Sequence, residues 1–263
     1  MTTAAVKATR SFEGLVLRAI IPASVLLLWG LGSSFRLWPT TIIASPVAVA
    51  VAGWRLTRSG SLLFNTWESM YRLIGGSLLG IVSGVATAAF VALSPRLGRL
   101  FKSSFDFLAP IPVLAWIPFF ILFFGIDGAR IALIAAGTGL IMYGATLTVV
   151  ADTKAEYIEL ARLYRKNHMQ VFFEISLPAG AWTMFGALRT ALGLSWVLLL
   201  ASELIASSSG LGWLIWDSRY FGRTDEMMAA MIWVGSLGFL LDRVVAMLQN
   251  HVTLWRPSFE GLS

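Results

Sequence analysis

The chain has 263 residues, of which 57% are hydrophobic and 13% are charged. Soluble domains carry about 25% charged residues, so this composition, with a mean hydropathy of +0.76, indicates a protein that lies in a lipid bilayer. The absence of cysteine excludes disulfides, thiolate catalysis and cysteine metal sites. The net charge of +6 is typical of membrane-protein loops that face the cytoplasm and anionic lipid, and we expect no nucleic-acid partner.

Apolar segments along the chain predict about six membrane-spanning helices. The segment after Lys7 and Arg10 is longer than a signal-peptide core and lacks a cleavage pattern, which favours an uncleaved first span. The predicted spans are Leu15–Gly32, Leu73–Leu93, Phe105–Phe124 (interrupted by Pro110, Pro112 and Pro118), Ile131–Val150, Met184–Ile205 and Met227–Leu248. The predicted fold is therefore an all-α polytopic membrane bundle.

Lys and Arg side chains favour an orientation with both termini in the cytoplasm. The cytoplasmic segments then hold Lys7, Arg10, Arg96, Arg99, Lys102, Lys154, Arg162, Arg165, Lys166 and Arg256, and the opposite side holds Arg36, Arg55, Arg58, Arg130, Arg219 and Arg223. The predicted organisation is a cytoplasmic tail (1–14), a first transmembrane helix (15–34), an extracytoplasmic or interfacial segment (35–68), a transmembrane core (69–250) and a second cytoplasmic tail (251–263).

Two segments are predicted to lie at the outer membrane surface. Ser45-Pro46 is a helix-start signal, and the amphipathic run that follows it through Arg58 predicts an interfacial helix. The second segment, Ser209–Asp225, is rich in Trp, Tyr and Phe, which are residues that anchor at the level of the lipid headgroups.

A charged segment, EYIELARLYRKNHMQVFFEISLP at 156–178, interrupts the apolar chain. One helical face carries Tyr157, Leu160, Ala161, Tyr164 and His168, and the other carries Glu156, Glu159, Arg162 and Lys166. Glu159 and Arg162 are spaced for an i,i+3 ion pair. The pattern alone leaves two alternatives, a solvated loop helix packed on the ends of the spans or a docking helix for a cytoplasmic partner.

The spacing in this segment resembles the permease subunits of bacterial binding-protein-dependent ABC importers. Their motif is Glu-Ala-Ala, three residues, Gly, nine residues, Ile, one residue and Leu-Pro. Here Glu159-Leu160-Ala161, Ile175 and Leu177-Pro178 stand at the matching positions. Leu160 replaces an Ala, and Arg165 replaces the Gly that permits a turn. Because Arg adopts a left-handed conformation at a cost, we expect the turn to move to Asn167.

Other stretches resemble the nitrate, sulfonate and taurine group of these permeases, namely SPVAVAVAGW, APIPVLAWIPFFILFFGIDGARI and GALRTALGLSW with ASELIASSSGLGWLIW. The resemblance implies a type I ABC importer permease in a bacterial inner membrane, which imports a small anion such as a sulfonate or nitrate. Its implied partners are an identical second permease subunit, two cytoplasmic ATPase subunits that bind ATP and Mg, and an extracytoplasmic solute-binding protein. The implied coupling helix is 155–168, and the implied coupling residues are Tyr157, Glu159, Leu160, Ala161, Arg162, Tyr164, Arg165, Ile175, Leu177 and Pro178.

The chain contains no G-x-x-x-x-G-K-[ST] motif, so we expect no P-loop ATPase, no bound cofactor or metal and no enzymatic activity of its own. The alternative functions are an ion-gradient-driven secondary transporter and a membrane scaffold without transport. A secondary transporter more often shows an inverted repeat, which we do not find. A scaffold leaves the spacing of the charged segment unexplained.

Several ionisable residues fall within the predicted spans, where charges are expensive. Arg72, Arg189 and Glu203 are the candidate pathway residues, and Asp242 and Arg243 lie in the sixth span. Each of these charged residues either neutralises another and so fixes the helix packing, or lines the path of the solute. For Glu203 we favour the packing role, because a carboxylate repels an anionic solute. Span two also carries a Gly ridge at Gly76, Gly80 and Gly84, which predicts close helix packing either within the bundle or across the dimer.

Overall fold

The computed structural model describes residues 20–93, 98, 107, 110–205 and 207–252. Within these ranges the regular structure is helical, with α1 Ile20–Ser34, α2 Pro46–Arg58, α3 Ser61–Leu93, α4 Ile117–Ala151, α5 Ala155–Leu163, α6 His168–Val171, α7 Ala181–Ile205, α8 Leu211–Tyr220 and α9 Thr224–Val252. The predicted tail 1–14, most of the second tail and the basic residues Lys7, Arg10, Arg96, Arg99, Lys102 and Arg256 lie outside the described residues. The chain forms two compact units, Met1–Leu63 with Leu214–Trp233, and Phe64–Trp213 with Val234–Ser263.

Four helices in the described part of the chain are long and apolar enough to cross a membrane, namely Ser61–Ala92, Val113–Ala151, Ala181–Ile205 and Thr224–Val252. The predicted second, fourth, fifth and sixth spans lie within these helices. Helix α3 begins at Ser61 and not at Leu73, since no Gly or Pro interrupts the chain between them. The shorter helix α1 covers the described part of the predicted first span, whose start at Leu15 lies outside the described residues.

The predicted third span is not a single helix. In its described part the chain bends at Pro110–Pro112, forms a 3-10 turn at Val113–Trp116 and then enters α4. The two prolines lack N–H donors and restrict the residues before them, so they exclude a continuous helix. Pro118, which we predicted to interrupt a helix, instead lies in the first turn of α4. The interruption of α4 occurs at Gly125, where φ is 67° and ψ is −179°.

In the first unit, α2 begins where its sequence predicts. The Ser45 hydroxyl accepts a hydrogen bond from the Ala48 N–H at 3.2 Å, and Pro46 occupies the first turn. Arg55 at the other end of α2 pairs with Asp225 at 2.9 Å and with Glu226 at 3.2 Å. These contacts join two parts of the first unit that are far apart in sequence.

Helix α8 occupies the middle of the aromatic segment Ser209–Asp225, for which we predicted a surface anchor but no helix. The Arg219 guanidinium lies 5.8 Å from the centre of the Trp216 ring. Two residues after the end of the helix, Gly222 adopts a left-handed conformation with φ 69°. An aromatic-rich segment can anchor at the membrane surface whether or not it is helical, so its composition alone did not predict the helix.

In the second unit, α3, α4 and α7 share a core in which Leu73, Ile134 and Leu199 are buried together. The Gly ridge of α3 packs against α4 as predicted. A Cβ atom at Gly76 would lie 2.6 Å from Ile134, and one at Gly80 would lie 2.6 Å from the Ala135 carbonyl oxygen. Any side chain at these positions would push the two helices apart.

Candidate coupling segment and intramembrane charge sites

Helix α5 presents the apolar face that its sequence predicts. Tyr157, Leu160 and Tyr164 are 44%, 52% and 72% exposed, whereas Ala161 is buried. The four residues line an open groove of about 550 Å³. The remaining lining residues are Lys166, Glu174, Ile175 and Ala179. Exposed aromatic and aliphatic side chains beside a groove form a surface suited to binding another protein.

The turn after α5 lies at Arg165 and not at Asn167, so our prediction of a displaced turn was wrong. Arg165 has φ 51°, which is the left-handed conformation. The Lys166 N–H donates to the Ala161 carbonyl at 3.0 Å, and the Arg165 N–H donates to the Arg162 carbonyl at 2.9 Å. These two bonds form a Schellman motif, in which the left-handed position is usually Gly. The hydrogen bonds hold Arg165 in a conformation that its own side chain disfavours.

The predicted coupling helix at 155–168 is therefore two helices, with α5 ending at Leu163 and α6 beginning at His168. Asn167 serves as the cap of α6, where its side chain accepts from the Gln170 N–H and its own N–H donates to the Gln170 side chain. This reciprocal arrangement is a capping box. Consequently His168 does not continue the face that begins at Tyr157.

A π-helical turn at Phe172–Ser176 connects α6 to the single turn Leu177–Ala179. The Thr153 hydroxyl donates to the Ser176 hydroxyl at 2.8 Å, which ties this turn to the residues that follow α4. Ile175 lines the groove, Leu177 is half-buried and Pro178 is exposed. The motif's second half is thus a kinked helical connection between the groove and α7.

The charged side chains of this segment are arranged differently from the prediction. Glu159 and Arg162 are both exposed and form no ion pair with each other in the described structure. An ion pair joins Lys166 and Glu174 across the groove instead. Exposed i,i+3 pairs contribute little, so their side chains remain solvated. Sequence reasoning missed Lys166 and Glu174 because their pairing depends on the turn at Arg165.

Arg72 and Glu203 meet in a buried polar cluster. Both side chains are almost fully buried, and the guanidinium Nη1 donates to Glu203 Oε1 at 3.1 Å. Arg72 also donates to Glu68 at 2.8 Å, to Asp127 at 3.1 Å, and to the side chain and carbonyl of Ser209 at 2.8 and 3.2 Å. The i,i+4 spacing of Glu68 and Arg72 is the one part of this cluster that sequence could have shown.

Glu203 also holds the chain segment that follows α7. Its carboxylate accepts from the Ser69 hydroxyl at 2.9 Å and from the Gly212 N–H at 2.9 Å. The Asn65 side chain accepts from the N–H of Gly210, whose φ is 110°. A Cβ atom at Gly210 would collide with the Glu203 carboxylate, so only Gly fits there.

Arg189 belongs to a different site. Its Nε and Nη2 atoms donate to the two oxygens of Asp242 at 2.5 and 2.7 Å, a bidentate pair between α7 and α9. The side chains are 48% and 42% exposed. The structure therefore separates the three candidate pathway residues, because Arg72 and Glu203 lie together and Arg189 pairs with Asp242.

The described structure thus combines four long apolar helices with an open groove beside α5. The family model of the binding-protein-dependent transport system inner membrane component matches residues 76–254. The chain belongs to this family, and is thus a permease subunit of a bacterial-type ABC importer.

Three relatives with named functions are similar to between 73% and 92% of the chain. The aliphatic sulfonates transport permease proteins SsuC are 34% identical in Escherichia coli (91% of each chain) and 31% identical in Bacillus subtilis (92% of this chain and 88% of the relative). The nitrate import permease protein NrtB of Leptolyngbya laminosa is 28% identical over 73% of this chain and 69% of its own. The named relatives thus include permeases for two different anions.

The fold matches that of a solved methionine ABC transporter, MetNI, in an inward-facing conformation. The TM-score is 0.65 with 18% identity, and the match covers 75% of this chain and 98% of that chain. At this identity the likeness concerns the fold alone. The fold is that of a type I importer permease, as the sequence predicts.

Proposed function

We propose that the chain forms the translocation path of an ATP-driven importer for a small oxyanion, such as an alkyl sulfonate or nitrate. The observation that carries the proposal is the groove beside α5, at the position where the family motif begins. The proposal that the solute is an anion rests on the relatives named as sulfonate and nitrate permeases, which are similar to most of the chain. Selectivity among anions is assigned mainly to the binding protein.

The groove at Tyr157, Leu160 and Tyr164 is the proposed contact with a separate ATPase subunit. A helix that transmits force must bury part of its apolar face in a partner, as in helix-in-groove recognition. The groove is open, and its aromatic side chains are exposed in the isolated chain. The ATPase subunits bind ATP and Mg, and two such subunits act on two identical permeases with alternating access to the solute.

The π-helical turn supports a role in coupling. It lies directly between the groove and α7, and π-helical turns are often found at functional sites. The Thr153–Ser176 hydrogen bond connects the same turn to the end of α4. A push on α5 and α6 would therefore reach two membrane helices through a few covalently and hydrogen-bonded residues.

The proposed orientation places α5, α6 and both termini in the cytoplasm. It follows from the distribution of Lys and Arg along the sequence. Since the chain has no cysteine, single-cysteine variants report topology directly. We expect Lys166→Cys to react with an impermeant thiol reagent only from the cytoplasmic side, and Tyr220→Cys only from the outer side. The reverse labelling would contradict both the orientation and the docking role.

The docking role is tested by Tyr164→Ala. Truncation of an aromatic anchor at an interface often weakens binding by about 2 kcal/mol or more, which is roughly 30-fold in affinity. We expect loss of ATPase co-purification, or ATP hydrolysis without solute uptake, while the variant remains folded in the membrane. Tyr220→Ala is the matched control, because Tyr220 is 77% exposed and lies outside the coupling segment. Unchanged association and uptake for Tyr164→Ala would show that α5 is not the docking surface.

A further inference from the structure

The ion pair between Arg189 and Asp242 lies well inside two membrane helices. Arg189 is eight residues beyond Ala181, roughly 12 Å along α7, and Asp242 is ten residues before Val252, roughly 15 Å along α9. Nearly half of each side chain is exposed. Charged groups at this depth avoid lipid and face water or protein. The exposed side of the pair therefore does not face the hydrocarbon.

The guanidinium of Arg189 has hydrogen-bonding capacity to spare. Its Nε and Nη2 atoms bind Asp242, and within the described residues Nη1 donates to no acceptor. Arg72 provides the contrast, since its two terminal nitrogens lie within hydrogen-bonding distance of five acceptor atoms and its side chain is almost fully buried. An incoming ligand could reach Arg189 without breaking the protein's core, whereas it could not reach Arg72.

A small cavity lies beside the Arg189 side chain. A cavity of about 160 Å³ is lined by Arg189, Gly193, Gly238 and Asp242, with Trp196 among the other walls. A Cβ atom at Gly186 or at Gly193 would meet nothing within 4 Å, so no described residue packs against α7 at these two positions on either side of Arg189. The space is sufficient for a small ion next to the guanidinium.

The charges at this site favour an anion. Arg243 follows Asp242, is exposed and lies 5.0 Å from the centre of the Phe239 ring. Two arginines therefore accompany one carboxylate. A planar guanidinium binds the oxygens of a sulfonate or nitrate through the same paired hydrogen bonds that it gives to a carboxylate. An oxyanion can thus take the place of Asp242 on Arg189.

We propose that Arg189 is an anion-binding residue of the translocation path, which releases Asp242 and binds the oxyanion as it passes. This inference deepens the proposed function and rests on it. Asp242 acts as a resident counter-ion that neutralises Arg189 when the path is empty. Arg72 and Glu203, in contrast, take no part in solute binding.

The test uses the full chain in membrane vesicles with its ATPase and binding protein, carrying Gly193→Cys as the single cysteine. The probes are an anionic thiol reagent, sulfonatoethyl methanethiosulfonate, and a cationic one of similar size, trimethylammonioethyl methanethiosulfonate. We expect the anionic reagent to react severalfold faster, methanesulfonate to slow its reaction, and Arg189→Gln to remove the preference. Absence of labelling by either reagent, or equal rates for both, would overturn the proposal.

A charge exchange distinguishes an anion site from a pair that only fixes packing. In the double variant Arg189→Asp with Asp242→Arg, the ion pair is retained but the arginine moves to the other helix. If the pair is structural, the double variant restores uptake that Arg189→Gln loses, and this result would overturn the proposal. We expect instead that uptake per ATP hydrolysed stays about tenfold or more below the unmodified complex, with the ATPase still bound. An unmodified complex that imports none of methanesulfonate, ethanesulfonate and nitrate would contradict the proposed function, whereas equal labelling in an active complex contradicts the anion site alone.

Discussion

Arg72 and Arg189 both lie within apolar helices, but their surroundings differ in almost every respect. The Arg72 side chain is 3% exposed and binds three carboxylates and a serine, whereas the Arg189 side chain is 48% exposed and binds one carboxylate. The cluster around Arg72 fixes a loop with a left-handed glycine. The pair at Arg189 borders unoccupied space. Two arginines within membrane helices thus differ in partners and in exposure, although their residue type is the same.

The same contrast appears in the glycines of the two regions. Gly80 on α3 contacts the backbone of α4 so closely that no side chain fits. Gly193 on α7 has no neighbour within 4 Å of where a Cβ atom would lie. Gly80 allows α3 and α4 to approach each other closely, whereas Gly193 has no such packing role among the described residues. A side chain at Gly80 would therefore disturb the packing of α3 on α4, whereas one at Gly193 would not disturb the described packing of α7.

Among the substitutions considered, Glu203→Ala in the buried cluster around Arg72 should cause the largest loss of stability. Removal of one partner of a buried ion pair destabilises a protein by up to about 3–5 kcal/mol, and Arg72 would keep only the more exposed Glu68 and Asp127 as ion-pair partners. Ser69 and Gly212 would lose their acceptor as well. We expect a strongly lowered melting temperature in detergent, or little folded protein in the membrane.

Glu203→Gln is the matched control, because it keeps the shape and one acceptor oxygen. We expect a smaller loss of stability than for Glu203→Ala. If Glu203→Ala leaves stability unchanged but abolishes uptake, the carboxylate acts on the solute and the comparison with Arg189 fails.

Substitution of Gly80 and of Gly193 by Ala should change the stability of the protein in opposite directions. Gly80→Ala places a Cβ atom 2.6 Å from the Ala135 carbonyl oxygen and should destabilise by about 1–3 kcal/mol through overpacking. Gly193→Ala meets no neighbour and should stabilise α7 by about 0.5–1 kcal/mol, because Ala favours a helix over Gly. Melting temperatures of the two purified variants measure the difference. Equal effects would show that the two surfaces are packed alike.

The smallest expected effect is at the coupling segment, with Arg165→Gly. Glycine adopts the left-handed conformation without steric cost, so the turn after α5 should be stabilised by about 0.5–1 kcal/mol. We expect a slightly higher melting temperature, with ATPase co-purification and uptake unchanged. Loss of uptake would mean that the Arg165 side chain itself contacts the ATPase.

Local signals predicted much of this structure. Hydrophobic runs located four long helices, Ser45-Pro46 located the start of α2, and helical spacing grouped Tyr157, Leu160 and Tyr164 on one face. These features depend on residues that are close in sequence, where helix periodicity and capping preferences act.

The features that sequence reasoning missed depend on contacts between distant residues. Arg189 and Asp242 are 53 positions apart, and no local rule pairs them. Arg165 adopts a conformation against its intrinsic preference, because the Schellman hydrogen bonds and the following helix hold it there. The break at Gly125, by contrast, lies directly after Phe124, where we predicted the third span to end.

The most direct test of the account is solute uptake into proteoliposomes. The chain is reconstituted with its ATPase and binding protein, and methanesulfonate, ethanesulfonate and nitrate are offered as radiolabelled or isotopically labelled solutes. The proposed function predicts accumulation of at least one of these anions that requires ATP, the binding protein and an intact α5 surface. Uptake by the chain alone, driven by a proton or sodium gradient without ATP, would contradict it and establish a secondary transporter instead.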